Sequence, residues 1–102
     1  KIRLAKKIII EKMADPYTIS ELAKEIGLNE YRLKEGFKNI YGTTVFKFLN
    51  DYRLDVARQL LEQDHVKVNE AAYQIGYTNP SHFIAAFRKK FGVTPKKYLL
   101  NR

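Results

Sequence analysis

The chain has 102 residues, no cysteine, 45% hydrophobic and 13% aromatic side chains, and a formal net charge of +8. This composition excludes wholesale disorder, a disulfide scaffold and a thiolate metal site, and no apolar run approaches the roughly 20 residues of a membrane span. We therefore expect one small soluble domain, or two lobes sharing a helix, suited to a reducing cytoplasm; with Lys1 in place of Met, we expect a piece of a longer chain.

The positive charge is unevenly distributed. Residues 1–43 carry nine basic and six acidic side chains, residues 44–64 carry three and four, and residues 65–102 carry seven and one. A basic domain attracts polyanions because binding releases their counterions. The charge therefore favours a nucleic acid as partner, although this signal alone is weak because many ordinary domains are basic.

The first predicted helix covers residues 2–14. Ile2, Ala5, Ile9 and Met13 fall on one stripe of it, which is typical of an amphipathic helix packed on the unit that follows. A membrane-surface helix would show the same basic amphipathicity, so that alternative stays open. We expect a brace for the first unit.

Two capping patterns mark the next two helices. Thr18 and Glu21 form a capping box that starts a short helix, and this helix ends at Gly27. Asn29 caps the following helix, which closes at Gly42. The predicted inner face of this helix consists of Leu33, Phe37, Ile40 and Tyr41.

The longest predicted helix runs from residue 44 to about residue 63. Its apolar side chains cover about half of its circumference, more than the usual stripe of about 100°, which predicts packing on two sides. These side chains are Val45, Phe46, Leu49, Tyr52, Leu54, Val56, Ala57, Leu60 and Leu61. Arg53 falls inside this arc, so we expect carbonyls or a carboxylate to satisfy its guanidinium, or a phosphate to bind it.

The carboxy-terminal segment predicts two short helices about a tight turn, followed by a last short helix. Residues 70–75 are apolar in pattern and meet Gly76, while Lys67 stands where a cap is expected, which weakens the start of this helix. Asn79 begins the partner helix, and a last helix over residues 96–100 docks through an aromatic side chain. The aromatic positions are Phe83, Phe87 and Phe91 in the partner helix and Tyr98 in the last helix. This is the helix-turn-helix pattern.

The two halves of the chain repeat one another. A shift of 49 residues places Gly27 on Gly76, and a shift of 50 matches the caps, the core aromatics and the closing residues. The latter shift places Asn29 on Asn79, Phe37 on Phe87, Tyr41 on Phe91, Gly42 on Gly92, Thr44 on Thr94 and Phe48 on Tyr98. We interpret this as a tandem pair of one structural unit.

Residues 15–99 resemble the DNA-binding domain of the AraC/XylS family of bacterial transcription regulators. The most specific part reads GYTNPSHF from Gly76, then Phe87, then FGVTPKKY up to Tyr98. The resemblance implies an all-α fold of about seven helices with two homeodomain-like helix-turn-helix subdomains, residues 1–43 and 65–102. A long helix, residues 44–64, would link them.

The resemblance also implies a function and partners. One chain would bind double-stranded DNA sequence-specifically, with two recognition helices in successive major grooves roughly 34 Å apart. The implied partners are DNA, RNA polymerase and a separate amino-terminal sensing or dimerisation domain, with no membrane and no cofactor or metal. The implied location is the bacterial cytoplasm, in association with the nucleoid.

The residues that would contact DNA follow by position. The base-reading candidates are Tyr31, Arg32, Lys34, Glu35 and Lys38 in the first recognition helix and Ser81, His82, Ala85, Arg88 and Lys89 in the second. We expect phosphate contacts from the backbone around Thr44 and Thr94, with Lys96 and Lys97. Ala85 can give only apolar contact, for instance to a thymine methyl, so we expect lighter base reading by the second helix. Glu35 repels phosphate, so it either accepts from a cytosine amine or orients Arg32 or Lys38.

Other interpretations of these features are open but weaker. His82 as a metal ligand or proton carrier would need partners, yet the other histidine is His65 and no cysteine or carboxylate cluster accompanies either. Aromatics at helical spacing belong to a core rather than to a base-stacking surface. A helical protein-interaction module is the alternative function. An enzyme is disfavoured, because paired carboxylates, a nucleophile with a base and a phosphate-cradling glycine loop are not evident.

Overall fold

The computed structural model describes residues 1–101 and confirms the predicted all-α fold with seven helices in that range. The helices are α1 (Ile2–Glu11), α2 (Ile19–Ile26), α3 (Glu30–Tyr41), α4 (Val45–Gln63), α5 (Val68–Gln74), α6 (Pro80–Phe91) and α7 (Pro95–Leu100). They form two compact units, one up to Asn50 and one from Asp51 onward, so that α4 contributes residues to both.

The first unit has a core built from α1, α2, α3 and the start of α4. Its buried side chains are Ala5, Ile9, Leu22, Ala23, Ile26, Leu33, Phe37 and Leu49. The predicted stripe of α1 is confirmed, because Ile2 and Met13 pack against this core beside the buried alanine and isoleucine. At Gly36 of α3, an added Cβ would lie 2.7 Å from Cδ1 of Ile2. The apolar stripe of α1 thus faces the first unit, as expected of a brace.

Aromatic side chains organise the second unit. Phe83 and Phe87 of α6 are fully buried, with ring centroids 5.8 Å apart. The Phe87 ring also contacts Phe91 at 4.5 Å and Tyr98 of α7 at 5.8 Å. The Tyr98 hydroxyl donates a hydrogen bond to the Glu62 carboxylate of α4. The predicted core role of the α6 aromatics and the docking of α7 through Tyr98 are therefore confirmed.

The internal repeat is present in the aromatic packing. Phe37 in the first unit contacts Tyr41 at 4.9 Å and Phe48 at 5.6 Å between ring centroids. Fifty residues further along the chain, the Phe87 ring makes the two equivalent contacts described above. In each unit the second helix of the helix-turn-helix pair therefore packs against the helix that follows it through the same arrangement of three rings.

Several predicted boundaries and burials were wrong. α1 ends at Glu11, three residues before its predicted end, and α5 starts at Val68, two residues before its predicted start. Ile40 is 57% exposed and Phe46 is 77% exposed, although both were predicted to face a core. Periodicity predicts the side of a helix that a residue occupies. It does not predict whether a neighbouring helix covers that side at the residue's position along the helix axis. Among residues 1–101, none of the helices combines the length and the apolar character that crossing a membrane requires.

Candidate nucleic-acid interface

A capped, glycine-turned connection orients α3 in the first unit. The Thr18 hydroxyl accepts from the Glu21 N–H at 3.1 Å, and the Glu21 carboxylate accepts from the Thr18 N–H at 2.8 Å, so the predicted capping box is confirmed. This hydrogen bonding holds the pKa of Glu21 below its ordinary value. Gly27 ends α2 in the left-handed region at φ 74°, which side chains rarely adopt. Asn29 then caps α3 by accepting from the Arg32 N–H at 2.8 Å.

The outward face of α3 is polar and exposed. All five predicted base-reading residues are exposed: Tyr31, Arg32, Lys34, Glu35 and Lys38. The Tyr31 side chain is 69% exposed, and its hydroxyl donates to Oε2 of Glu35 at 2.7 Å. This hydrogen bond raises the pKa of the Tyr31 phenol. Within residues 1–101 the hydrogen-bond partner of the Glu35 carboxylate is thus Tyr31 and not Arg32 or Lys38, whose orientation was one of its two predicted roles; the other role, acceptance from a cytosine amine, stays a prediction.

In the second unit α5 and α6 are connected in the same way as α2 and α3, but the amino end of α5 lacks a capping side chain. Lys67 precedes α5 and makes no side-chain capping hydrogen bond, as predicted. Gly76 follows with φ 103°. Asn79 accepts from the Ser81 N–H at 2.8 Å, and Pro80 is the first residue of α6. An asparagine cap therefore starts both recognition helices.

The outward face of α6 is also exposed but less polar. The five predicted base-reading residues there are Ser81, His82, Ala85, Arg88 and Lys89, and all are exposed. Lys90 lies next to them in sequence but points elsewhere. Its Nζ donates to the Asp51 carbonyl at 2.9 Å and lies 3.1 Å from Oδ1 of Asp55. Lys90 therefore ties α6 to α4 within the second unit, and Arg88 and Lys89 are the exposed cations of this turn.

The predicted phosphate-contacting residues lie at the amino ends of α4 and α7. Thr44 accepts from the Lys47 N–H at 3.1 Å, and Thr94 accepts from the Lys97 N–H at 3.3 Å. Both threonines therefore cap their helices. Lys96 and Lys97 are exposed in the first turn of α7. Their contact with phosphate stays a prediction.

Arg53 packs in the second unit against an aromatic ring that the sequence pattern had not indicated. Its Cζ atom lies 5.8 Å from the centroid of the Tyr77 ring. A guanidinium over the face of an aromatic ring is attracted by the ring quadrupole. Burial lowers the pKa of Arg53 and raises the pKa of Tyr77. The ring contact stabilises a basic residue inside the apolar arc of α4, and its predicted contact with carbonyls, a carboxylate or a phosphate stays a prediction.

An apolar groove beside α3 was not predicted. Its volume is about 240 Å³, and its lining consists of Ile19, Lys34, Lys38, Thr44, Val45 and Phe46. Val45 packs against the core, whereas Phe46 lies about 100° further around α4 and stays exposed. The sequence did contain a signal for the exposure of Phe46, because Val45, Phe48 and Leu49 already form the inward-facing stripe of the first turns of α4. Two predicted base-reading residues, Lys34 and Lys38, are therefore part of the groove lining.

Both histidines are exposed. His82 lies on the outward face of α6, and His65 lies in the connection before α5. Across residues 1–101, no three His, Asp or Glu side chains group in a way that could hold a metal ion. His82 keeps its place among the interface residues, and its contact with DNA stays a prediction.

The two glycine-turned units, each with a capped recognition helix, define the helix-turn-helix class. A family model described as a helix-turn-helix domain matches residues 22–101, which is most of the chain. A solved transcriptional regulator from Chromobacterium violaceum, described as containing an AraC-type DNA-binding domain, has a TM-score of 0.86 at 26% identity over 94% of this chain and 86% of that one. The chain belongs to the AraC-type helix-turn-helix family, and it is a DNA-binding domain of transcription regulators.

Two further proteins are similar over nearly the whole chain. The C-terminal domain of the response regulator YesN from Fusobacterium nucleatum has a TM-score of 0.85 at 32% identity, with 94% of each chain covered. Histidine kinase P4 of Formosa agariphila is 31% identical over 98 residues, which are 95% of this chain but 7% of P4. The chain spans between 7% and 36% of the length of the first curated relatives that it matches.

Proposed function

We propose that this chain binds a specific, two-part site in double-stranded DNA, with α3 in one major groove and α6 in the next. One observation carries the proposal: each helix buries its aromatic face in its own unit and leaves every predicted base-reading residue exposed outside that face. An α-helix fits the major groove, where the base edges present distinct donors and acceptors. The exposed faces of α3 and α6 supply the complementary groups.

We propose an unequal division of base reading between the two helices. The outward face of α3 combines a phenol, a carboxylate and three cations, which together can read donors and acceptors. At the centre of the outward face of α6, Ala85 can contact only apolar groups such as a thymine methyl. Ser81 and His82 in the first turn of α6 and Arg88 and Lys89 in its last turn supply the polar contacts. The half-site of α3 therefore carries more of the discrimination.

In this proposal the phosphate contacts determine the affinity of the protein for DNA and its position on the duplex, but not its preference for particular bases. Lys96 and Lys97 extend from the first turn of α7, where their charges are exposed. Cations of this kind displace counterions from the DNA backbone, which makes binding depend on salt. Thr44 and Thr94 mark the backbone segments that we expect to lie nearest to phosphate.

Selection from a random duplex library tests the proposal. We expect two blocks of preferred base pairs with centres about 10 bp apart, and an affinity for the selected site that falls steeply as salt rises. Gel shifts of equal, weak intensity on all duplexes would contradict the proposal. That result would favour a helical module that binds another protein.

We further propose that the chain is one part of a larger bacterial regulator that acts in the cytoplasm at the nucleoid. The small share of its curated relatives that the chain spans supports an additional sensing or dimerisation domain, placed amino-terminally, and RNA polymerase is the expected protein partner. Transcription from a promoter that carries the selected site, with and without the full-length protein, tests this. An unchanged transcript level at saturating occupancy would refute it.

A further inference from the structure

Glu35 is the one carboxylate among the ten predicted base-reading residues. On the same outward face stand Arg32 and Lys38, with Lys34 at its edge, and all three are exposed. A carboxylate that approaches DNA is repelled by the phosphates, so its presence there is favourable only if a hydrogen-bond donor on the DNA meets it. The donors that the major groove offers to such a group are base amines.

The Tyr31 hydroxyl holds this carboxylate in place. It donates to Oε2 of Glu35 at 2.7 Å, across one turn of α3. An ionised carboxylate offers about four acceptor positions on its two oxygens, and the phenol occupies one of them. Across residues 1–101 no other donor reaches the Glu35 carboxylate, so Oε1 keeps its full acceptor capacity. The hydrogen bond from Tyr31 thus positions the Glu35 carboxylate as a hydrogen-bond acceptor before DNA binds.

The helix directs this acceptor toward the end that reads bases. Side chains of an α-helix lean toward its amino end, so the Glu35 carboxylate lies beside Tyr31, the second residue of α3. In helix-turn-helix proteins the amino-terminal part of the recognition helix contacts the base edges. Glu35 therefore presents Oε1 where a base edge is expected.

The chemistry of the groove selects one base. Guanine and thymine present acceptors there, which repel a carboxylate. Adenine presents its N6 amine next to the N7 acceptor, whereas the N4 amine of cytosine has no acceptor beside it on the same base. We propose that Glu35 reads a cytosine in the half-site of α3, with Tyr31 as its positioning residue. This inference rests on the proposed function.

The internal repeat restricts the preference to one half of the site. The offset of 50 residues places Ser81 and Ala85 where α3 has Tyr31 and Glu35. Neither residue supplies a carboxylate, so α6 lacks the equivalent acceptor. We therefore expect one cytosine preference of this origin, in one half-site.

Duplex selection with the wild type and three variants tests the inference. Glu35→Gln is expected to change the preferred base from C to A at one position, because glutamine pairs with N6 and N7 of adenine. Tyr31→Phe removes only the hydroxyl and should weaken that cytosine preference about two- to tenfold, while the base preferences in the half-site of α6 stay the same. Glu30→Gln is the matched control: Glu30 is an exposed carboxylate at the start of α3, and the same charge change there should leave every base preference intact.

Two outcomes would overturn the inference. One is a Glu35→Gln variant that selects the same base as the wild type at every position. The other is a Tyr31→Phe variant that keeps the full cytosine preference. Failure of the wild type to select any site would instead refute the proposed function, so the two failures are distinguishable. Circular dichroism checks that these surface variants fold.

Discussion

Gly36→Ala is expected to destabilise the first unit through a single contact between α1 and α3. A Cβ at position 36 would lie 2.7 Å from Cδ1 and 2.9 Å from Cγ1 of Ile2, closer than real Cβ atoms approach other atoms. The Ile2 side chain, which packs against the core, would have to move. Rotation about χ2 can move Cδ1 away but leaves Cγ1 in place, and the branched Cβ of Ile2 restricts χ1, so relief of the 2.9 Å contact requires a less favourable χ1 or a small shift of α1.

Two opposing terms set the magnitude. Alanine in a helix interior is more favourable than glycine by about 1 kcal/mol. Overpacking a well-filled contact costs typically about 1–3 kcal/mol. We therefore expect Gly36→Ala to lower the free energy of unfolding by about 1 kcal/mol, measured by urea titration with linear extrapolation.

The same substitution in an Ile2→Ala background reverses the sign. The displaced side chain is then absent, and only the helix-propensity gain of about 1 kcal/mol remains. The two backgrounds thus form a double-mutant cycle that isolates the contact. If Gly36→Ala stabilised the protein equally in both backgrounds, the close approach of α1 to α3 at this point would be refuted.

The remaining predictions concern the phosphate contacts, the groove and the first helix cap. Lys97→Ala should weaken binding to all duplexes about equally and reduce the salt slope by about one, and unequal losses between sites would exclude a phosphate role. Phe46→Ala should change the free energy of unfolding by less than about 0.5 kcal/mol because the ring is 77% exposed, whereas Phe37→Ala, at 0% exposure, should cost about 3–5 kcal/mol. Similar losses in both urea titrations would contradict these burials. The pKa of Glu21 is lowered by its bonds to Thr18, so the box stabilises the fold above the ordinary carboxyl pKa, and this stabilisation is lost as pH falls through the lowered value. Thr18→Ala removes the hydroxyl but keeps the Thr18 N–H, so it should raise the pKa of Glu21 only part of the way toward its ordinary value in an NMR titration, and an unchanged value would exclude a contribution from the hydroxyl.

Local sequence patterns were sufficient to predict the helices, their caps and the repeat. The capping box at Thr18 and the asparagine caps at Asn29 and Asn79 involve partners two or three residues away, so spacing along the chain specifies them. The same holds for the aromatic spacing of four residues in α6. The family could be named from these positions because they recur together. The exposure of the ten predicted base-reading residues could also be predicted, since helical periodicity assigns them to the outward arc or, for Lys34, to its edge.

Only the tertiary structure decided which helical faces are covered and which side chains pair. Periodicity gives a direction around a helix axis, but the neighbouring helix decides where along that axis the face is buried. Ile40 and Phe46 therefore stay exposed although their patterns are apolar. Partner choice depends likewise on distances in space: Lys90 meets two aspartates of α4, and Glu35 binds Tyr31 rather than a nearby cation. Those distances are set by the packing of whole helices, which residue spacing along the chain does not contain.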